Sequence, residues 1–160
     1  MTKKFRDFTL NEYLEVLSRR EPVPGGGSVA ALSAALGCGL ICMVTQYSLG
    51  KGKPQEIEEQ LQDLLALALK YQARFLELVD LDSEAYLAVV RARKASAEEQ
   101  EKANKIASDI PKEVCDLCAK AVELIPFLMK EGNKNLIHDV AIASEMLGAG
   151  LRSALVLANQ

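Results

Sequence analysis

No stretch of the 160-residue chain alternates apolar and polar residues with period two, so nothing in it signals a sheet. Tryptophan is absent, histidine occurs once, and leucine with alanine dominates a composition that is 49% hydrophobic, which suits a helical bundle. Basic residues are not in excess. Nineteen Lys and Arg stand against 22 Asp and Glu, a net charge of -3, and no nucleic-acid partner is expected because phosphate recognition needs a basic face. The start, Met1-Thr2-Lys3-Lys4-Phe5-Arg6-Asp7, does not lead into a short apolar core, so no secretory leader is expected and the cytoplasm is the default. The longest low-charge run, Val29 to Tyr47, lies near the lower limit for a membrane span but is interrupted by Ser33, Thr45 and Gln46; it reads as a buried helix, with no membrane partner. The four cysteines fall in two pairs, Cys38 with Cys42 and Cys115 with Cys118, each on one helical face among aliphatic residues. They read as small core hydrophobes, with neither a metal nor a disulfide expected.

What is present is a succession of helix signals. Thr9-Leu10-Asn11-Glu12 is a capping-box pattern followed by Leu10, Tyr13, Leu14 and Leu17 at helical spacing, so a short first helix ends near Arg20. Pro22-Val23-Pro24-Gly25-Gly26-Gly27-Ser28 then stiffens the approach with prolines, frees the backbone with glycines, and places Ser28 at the cap or first turn of a long apolar helix running to about Leu49. Small residues in this helix, Gly37 and Gly39 among them, allow close neighbours. Gly50-Lys51-Gly52-Lys53-Pro54 is a basic turn without phosphate-loop spacing. A long third helix carries a stripe from Ile57 to Val79 and extends to Val90, with a bend expected near Asp80 to Ser83. Ser96-Ala97-Glu98-Glu99 opens another helix. Pro111 predicts a break or kink in it and Pro126 a second, Gly132-Asn133 predicts a stop, and the last helix occupies most of Ile137 to Leu157. These signals predict an all-α antiparallel bundle of at least five helices with no sheet, in a single domain spanning residues 1–160.

Pro24-Gly25-Gly26-Gly27-Ser28-Val29-Ala30-Ala31 running into Ala35-Leu36-Gly37 resembles the signature of the formiminotetrahydrofolate cyclodeaminase and methenyltetrahydrofolate cyclohydrolase family. Gly50-Lys51-Gly52-Lys53 is similar to that family's Gly-Lys turn, and Asp82-Ser83-Glu84-Ala85-Tyr86 to its Asp-x-x-Ala-aromatic segment. Gly132-Asn133-Lys134-Asn135 through His138-Asp139-Val140 is similar to its Gly-Asn-x-Asn-x-x-Ser-Asp segment. His138 stands where the family usually has serine, and Leu155 where it usually has the first asparagine of a terminal pair; Asn159 keeps the second.

The resemblance implies a folate enzyme with a tetrahydrofolate derivative as substrate, no metal, and a homodimeric assembly. In a cyclodeaminase the second folate nitrogen attacks a formimino carbon and ammonia leaves; in a cyclohydrolase water attacks the methenyl bridge. Either reaction handles a cationic carbon and needs a carboxylate and a proton carrier. Asp82, Asp139 and His138 are the catalytic candidates, set against the plainer readings of a solvated helix residue, a helix cap and a structural histidine. Gly25, Gly26, Gly27 and Ser28 are candidates to receive the pterin ring or a carboxylate, and Lys51 and Lys53 to hold the glutamate tail. Asn133 and Asn135 are candidates to pair with the pterin edge, against a plain turn-making role. The cyclodeaminase is the first expectation and the cyclohydrolase the alternative; a non-catalytic folate-binding or helical interaction module is the reading from another class.

Overall fold

A computed structural model describes residues 3–159, and among them there is helix, turn and loop but no strand. After a short 3-10 turn at Phe5–Asp7 the chain forms α1 (Leu10–Leu17), α2 (Gly26–Ser48), α3 (Gln55–Ala92), α4 (Ala97–Val122), α5 (Ile125–Glu131) and α6 (Ile137–Ala158). The two capping boxes open the helices that the sequence assigns to them. Glu12 and Glu99 amides bond back to the Thr9 and Ser96 hydroxyls, while the Glu12 and Glu99 carboxylates accept from the amides of Thr9 and Ser96.

Helices α2, α3, α4 and α6 make the bundle. α2 packs between α3 and α6, and α4 closes the other side against the same two helices. The neighbours run antiparallel: Gly37 of α2 lies against Ala143 and Leu147 of α6, whereas Ala30, a little under two turns earlier, lies against Gly150. A methyl group at Gly37 would sit 3.0 Å from the Ala143 carbonyl oxygen, so the small residues of α2 serve close helix approach. Phe75, Ile41, Leu61, Leu78, Leu128 and Leu147 fill the core, with Cys38 and Cys118 among them. Burial pushes both of these thiols up to about 12, so they pack as neutral groups. Arg74 on α3 reaches both carboxylate oxygens of Glu113 on α4, at 2.6 and 2.9 Å, pinning those helices on the outside.

Several boundaries differ from expectation for local reasons. α2 begins at Gly26, with Gly25 as its cap residue, so two of the glycines lie in the first turn and Ser28 is its third residue. α3 continues for 38 residues through Asp80 to Ser83 without interruption. α4 runs through Pro111, which is buried; the tertiary contacts of Ile110, Val114 and Cys118 hold the helix across the missing amide. Pro126 sits in the first turn of a separate helix, where a missing amide costs little. By length and composition two helical segments, Gly26–Ser48 and Lys134–Ala158, are apolar enough to cross a membrane, and 56% and 28% of their most apolar windows are buried in the bundle.

Candidate active site

The glycine-rich start of α2 faces α3 because the two helices are antiparallel and Gly27 leaves room for a carboxylate. A methyl group at Gly27 would lie 2.8 Å from the Asp82 Oδ2 and closer still to its Cγ and Oδ1, so Asp82 occupies the space that any other side chain at position 27 would need. The Ser28 amide donates to the Asp82 Oδ2 at 2.9 Å. One free N-H of the helix start is thereby satisfied by a carboxylate from another helix, at the positive end of the dipole. Burial nonetheless pushes the Asp82 carboxyl above its ordinary range, with the Ser28 bond pulling partly the other way. Gly25 and Gly26 have nothing within 4 Å of where a side chain would start, so this end of α2 is open on the side away from Asp82.

Two residues that no sequence signal singled out complete this end. Tyr13, 6% exposed, places its hydroxyl 2.8 Å from the Ser28 hydroxyl, where either group can donate. Asp80, 4% exposed, accepts from the amides of Phe5 and Arg6 at 2.8 and 3.4 Å, and its Oδ2 lies 3.3 Å from the Arg6 Nε. The N-terminal segment is thus laid over α3, and Phe5 stacks edge-on against Phe8 and Tyr13. Tyr13 read as one more member of an apolar stripe, and Asp80 as a possible bend; only their burial reveals them.

The other candidates gather at the opposite end of α2. The Asn133 amide donates to the Ser48 hydroxyl at 2.8 Å, and its side chain accepts from the Asn135 amide at 3.0 Å and reaches the Tyr47 carbonyl at 3.4 Å. Asn133 therefore spends its carboxamide on the turn and on the end of α2, while Asn135 is exposed. Lys51 lies between Gly50 and Gly52, whose φ angles of 67° and 73° are the left-handed turn conformation glycine favours. Lys51 is exposed, and Lys53 lies 3.8 Å from Glu131. His138 and Asp139 are the second and third residues of α6, and the cap residue there, Leu136, provides no side-chain bond. Among the described residues neither His138 nor Asp139 makes a side-chain hydrogen bond or ion pair, so the capping role is not taken up by Asp139.

From Gly27 to Ser48 the helix rises about 30 Å. One chain therefore brings Asp82 together with Gly25 to Ser28, and Lys51, Lys53, Asn133 and Asn135 together with the approach to His138 and Asp139, but does not bring the two groups together. No group of three or more His, Cys, Asp or Glu positioned to hold a metal occurs among the described residues.

Residues 9–159 match the formiminotransferase-cyclodeaminase family model. The chain belongs to this family. It is 33% identical over 156 residues to a methenyltetrahydrofolate cyclohydrolase of Methylorubrum extorquens, covering 91% of this chain and 75% of that one. Over 158 residues it is 28% identical to the formimidoyltransferase-cyclodeaminase of Gallus gallus, covering 91% of this chain and 29% of that longer one. The fold superposes on the crystal structure of a formiminotetrahydrofolate cyclodeaminase from Thermotoga maritima with a TM-score of 0.90 and 26% identity, over 95% of this chain and 77% of the other. The family's relatives thus carry two reactions, ammonia release and hydrolysis.

Proposed function

We propose that the chain is a folate one-carbon enzyme whose reaction is cyclodeamination of formiminotetrahydrofolate to 5,10-methenyltetrahydrofolate. The observation that carries this reading is the partly buried Asp82 carboxyl at the open start of α2, held by the Ser28 amide and raised above its ordinary range. In this reaction the second folate nitrogen attacks the formimino carbon, its proton is moved to the departing nitrogen, and ammonia leaves. A carboxyl with a raised pKa takes and returns that proton more readily than an ordinary surface aspartate does. Asp139 is assigned to the cationic carbon and His138 to proton transfer near neutral pH. Lys51 and Lys53 are assigned to the anionic tail of the folate, and Gly25 to Ser28 to the close approach of its ring or carboxylate.

The second reading, methenyltetrahydrofolate cyclohydrolase, is favoured by the 33% identity to the Methylorubrum extorquens enzyme. There water replaces the second nitrogen as the attacking group and the same carboxyl takes its proton. We further infer that the chain works as one domain, as a homodimer and in the cytoplasm; four free cysteines suit a reducing compartment. The deciding experiment offers the protein formiminotetrahydrofolate and methenyltetrahydrofolate separately and follows both the methenyl chromophore and free ammonia. Chromophore and ammonia appearing together support the cyclodeaminase. Chromophore loss without ammonia supports the cyclohydrolase, and tight binding without turnover supports a non-catalytic module.

A further inference from the structure

α2 has an outer face that the bundle leaves uncovered. Val29, Leu32, Leu36, Leu40, Met43 and Tyr47 recur at helical spacing along its whole length, and Val29, Leu36 and Tyr47 are 39%, 52% and 57% exposed. Beside the middle of this stripe runs an apolar groove of about 470 Å³ between α2, α3 and α6, with Ile142 and Met146 on its α6 wall. Ile142 is itself 51% exposed. The chain exposes 9648 Å² of surface, whereas a compact monomer of 17.4 kDa exposes about 7,900 Å² by the usual scaling with mass. The excess, about 1,800 Å², exceeds the roughly 800 Å² that each partner contributes to a standard interface.

The order of residues in the stripe selects the occupant. Turned end for end about a point between Leu36 and Leu40, the stripe maps onto itself: Val29 falls opposite Tyr47, Leu32 opposite Met43, and Leu36 opposite Leu40. A face with this symmetry is complementary to a second copy of itself related by a two-fold axis across the helix, with small Val29 against large Tyr47 at both ends and the two helix dipoles opposed. The same axis brings the start of one α2 to the end of its partner. We propose that two copies of this chain pair antiparallel along α2, and that each active site joins Asp82 and Gly25 to Ser28 of one subunit to the Lys51, His138 and Asp139 end of the other. Two groups that stand about 30 Å apart along α2 in one chain then meet across the interface. Asp139 precedes Ile142 and Met146 by one and two helical turns on the same side of α6, the side that faces the groove. This deepens the proposed function and rests on it for the roles of Asp82 and Asp139, whereas the pairing itself does not.

Packing and catalysis are tested separately. The wild-type chain should be a dimer by light scattering at micromolar concentration, and Leu36→Glu, an exposed change, should be a folded monomer with activity at least 100-fold lower. Oxidation of a Val29→Cys, Tyr47→Cys double variant should give a covalent dimer, while either single variant should behave like wild type. Cross-linking by the single variants would establish a parallel arrangement and overturn the proposal. A wild-type monomer, including one that sediments with phosphatidylcholine and phosphatidylglycerol vesicles, would overturn it as well. For the shared site, Asp82→Asn and Asp139→Asn homodimers are each expected to be nearly inactive. Dissociated and reassociated together, they should recover about one quarter of wild-type activity, because half the dimers are mixed and each mixed dimer holds one intact site. No recovery would place each site within one chain. Full activity of either single variant would refute the catalytic assignment and the shared site with it, leaving the cross-linking result to decide the packing.

Discussion

At the start of α2 the polar groups are paired across elements: Asp82 with the Ser28 amide, the Ser28 hydroxyl with Tyr13, Asp80 with the backbone of Phe5 and Arg6. At its end, pairing is spent on the turn itself, and Lys51, Asn135, His138 and Asp139 are left without side-chain partners among the described residues. The first arrangement is set by the chain alone. The second has side chains of the right chemistry and nothing to hold them in one geometry, which is the condition of a surface that a substrate or another subunit completes.

The most severe way to break this contrast is at Gly27. Gly27→Ala forces a methyl group into the Asp82 carboxylate and is expected to cost about 4 kcal/mol, a melting point lower by on the order of 10 °C, with activity lost in whatever folds. Gly26→Ala, with open space around it, should melt near wild type. Equal melting points for the two variants would mean that the start of α2 is not the tightly fitted end.

Asp82→Asn comes next and separates function from stability. The amide oxygen can still accept from Ser28, so turnover should fall about 100-fold or more while the fold persists. Because the folded pKa is raised, the stabilising contribution of protonated Asp82 is fully present below its unfolded pKa and is lost as pH rises through the folded value. Asparagine cannot ionise, so the variant should be as stable as wild type at neutral pH or more so. Melting curves from pH 3 to 8 check this; a variant that loses stability relative to wild type as pH rises would contradict the assigned direction.

At the other end, Asp139→Asn should lower turnover about 10-fold with substrate affinity largely kept, since shape survives and charge does not. His138→Ser should leave melting unchanged and remove from the pH-rate profile an inflection near the ordinary histidine pKa of about 6.5. An unaltered profile would make His138 an orienting group, not a proton carrier. The smallest effect is expected at Lys51→Ala. An exposed lysine against an anionic tail is worth a few tenths to about 1 kcal/mol, so KM should rise about three-fold at low salt and less at high salt.

Much of this architecture is legible in the sequence because its signals are local. The capping boxes at Thr9 and Ser96, the glycine stop at Gly132 and the apolar periodicity each act within one or two turns, and the helices start and end accordingly. Pro111 misleads for the converse reason: one missing amide is a local cost, and contacts from two neighbouring helices outweigh it. The site divides in the same way. The glycine motif and Asp82 carry a family resemblance and are found together. Tyr13 and Asp80 derive their roles from partners 15 and 75 residues away, which no local pattern encodes. Asn133 has a side chain suited to a pterin but turns it on its own backbone and on Tyr47, a choice only the fold discloses.

The unbroken course of α3 has a consequence for how such a chain can change length. Gln72 is seated against Gly39 and Asp82 against Gly27, so the ten residues between them act as a phase lock as well as a spacer. Inserting one residue there would swing Asp82 by about 100° around the helix and about 1.5 Å along it, off Gly27. Inserting seven would nearly restore the angle but displace the carboxyl by about 10 Å. Neither setting can be corrected without the other, so insertions and deletions are excluded from this segment and are confined to joints outside the lock, such as the turns after Ser48 and after Ala92.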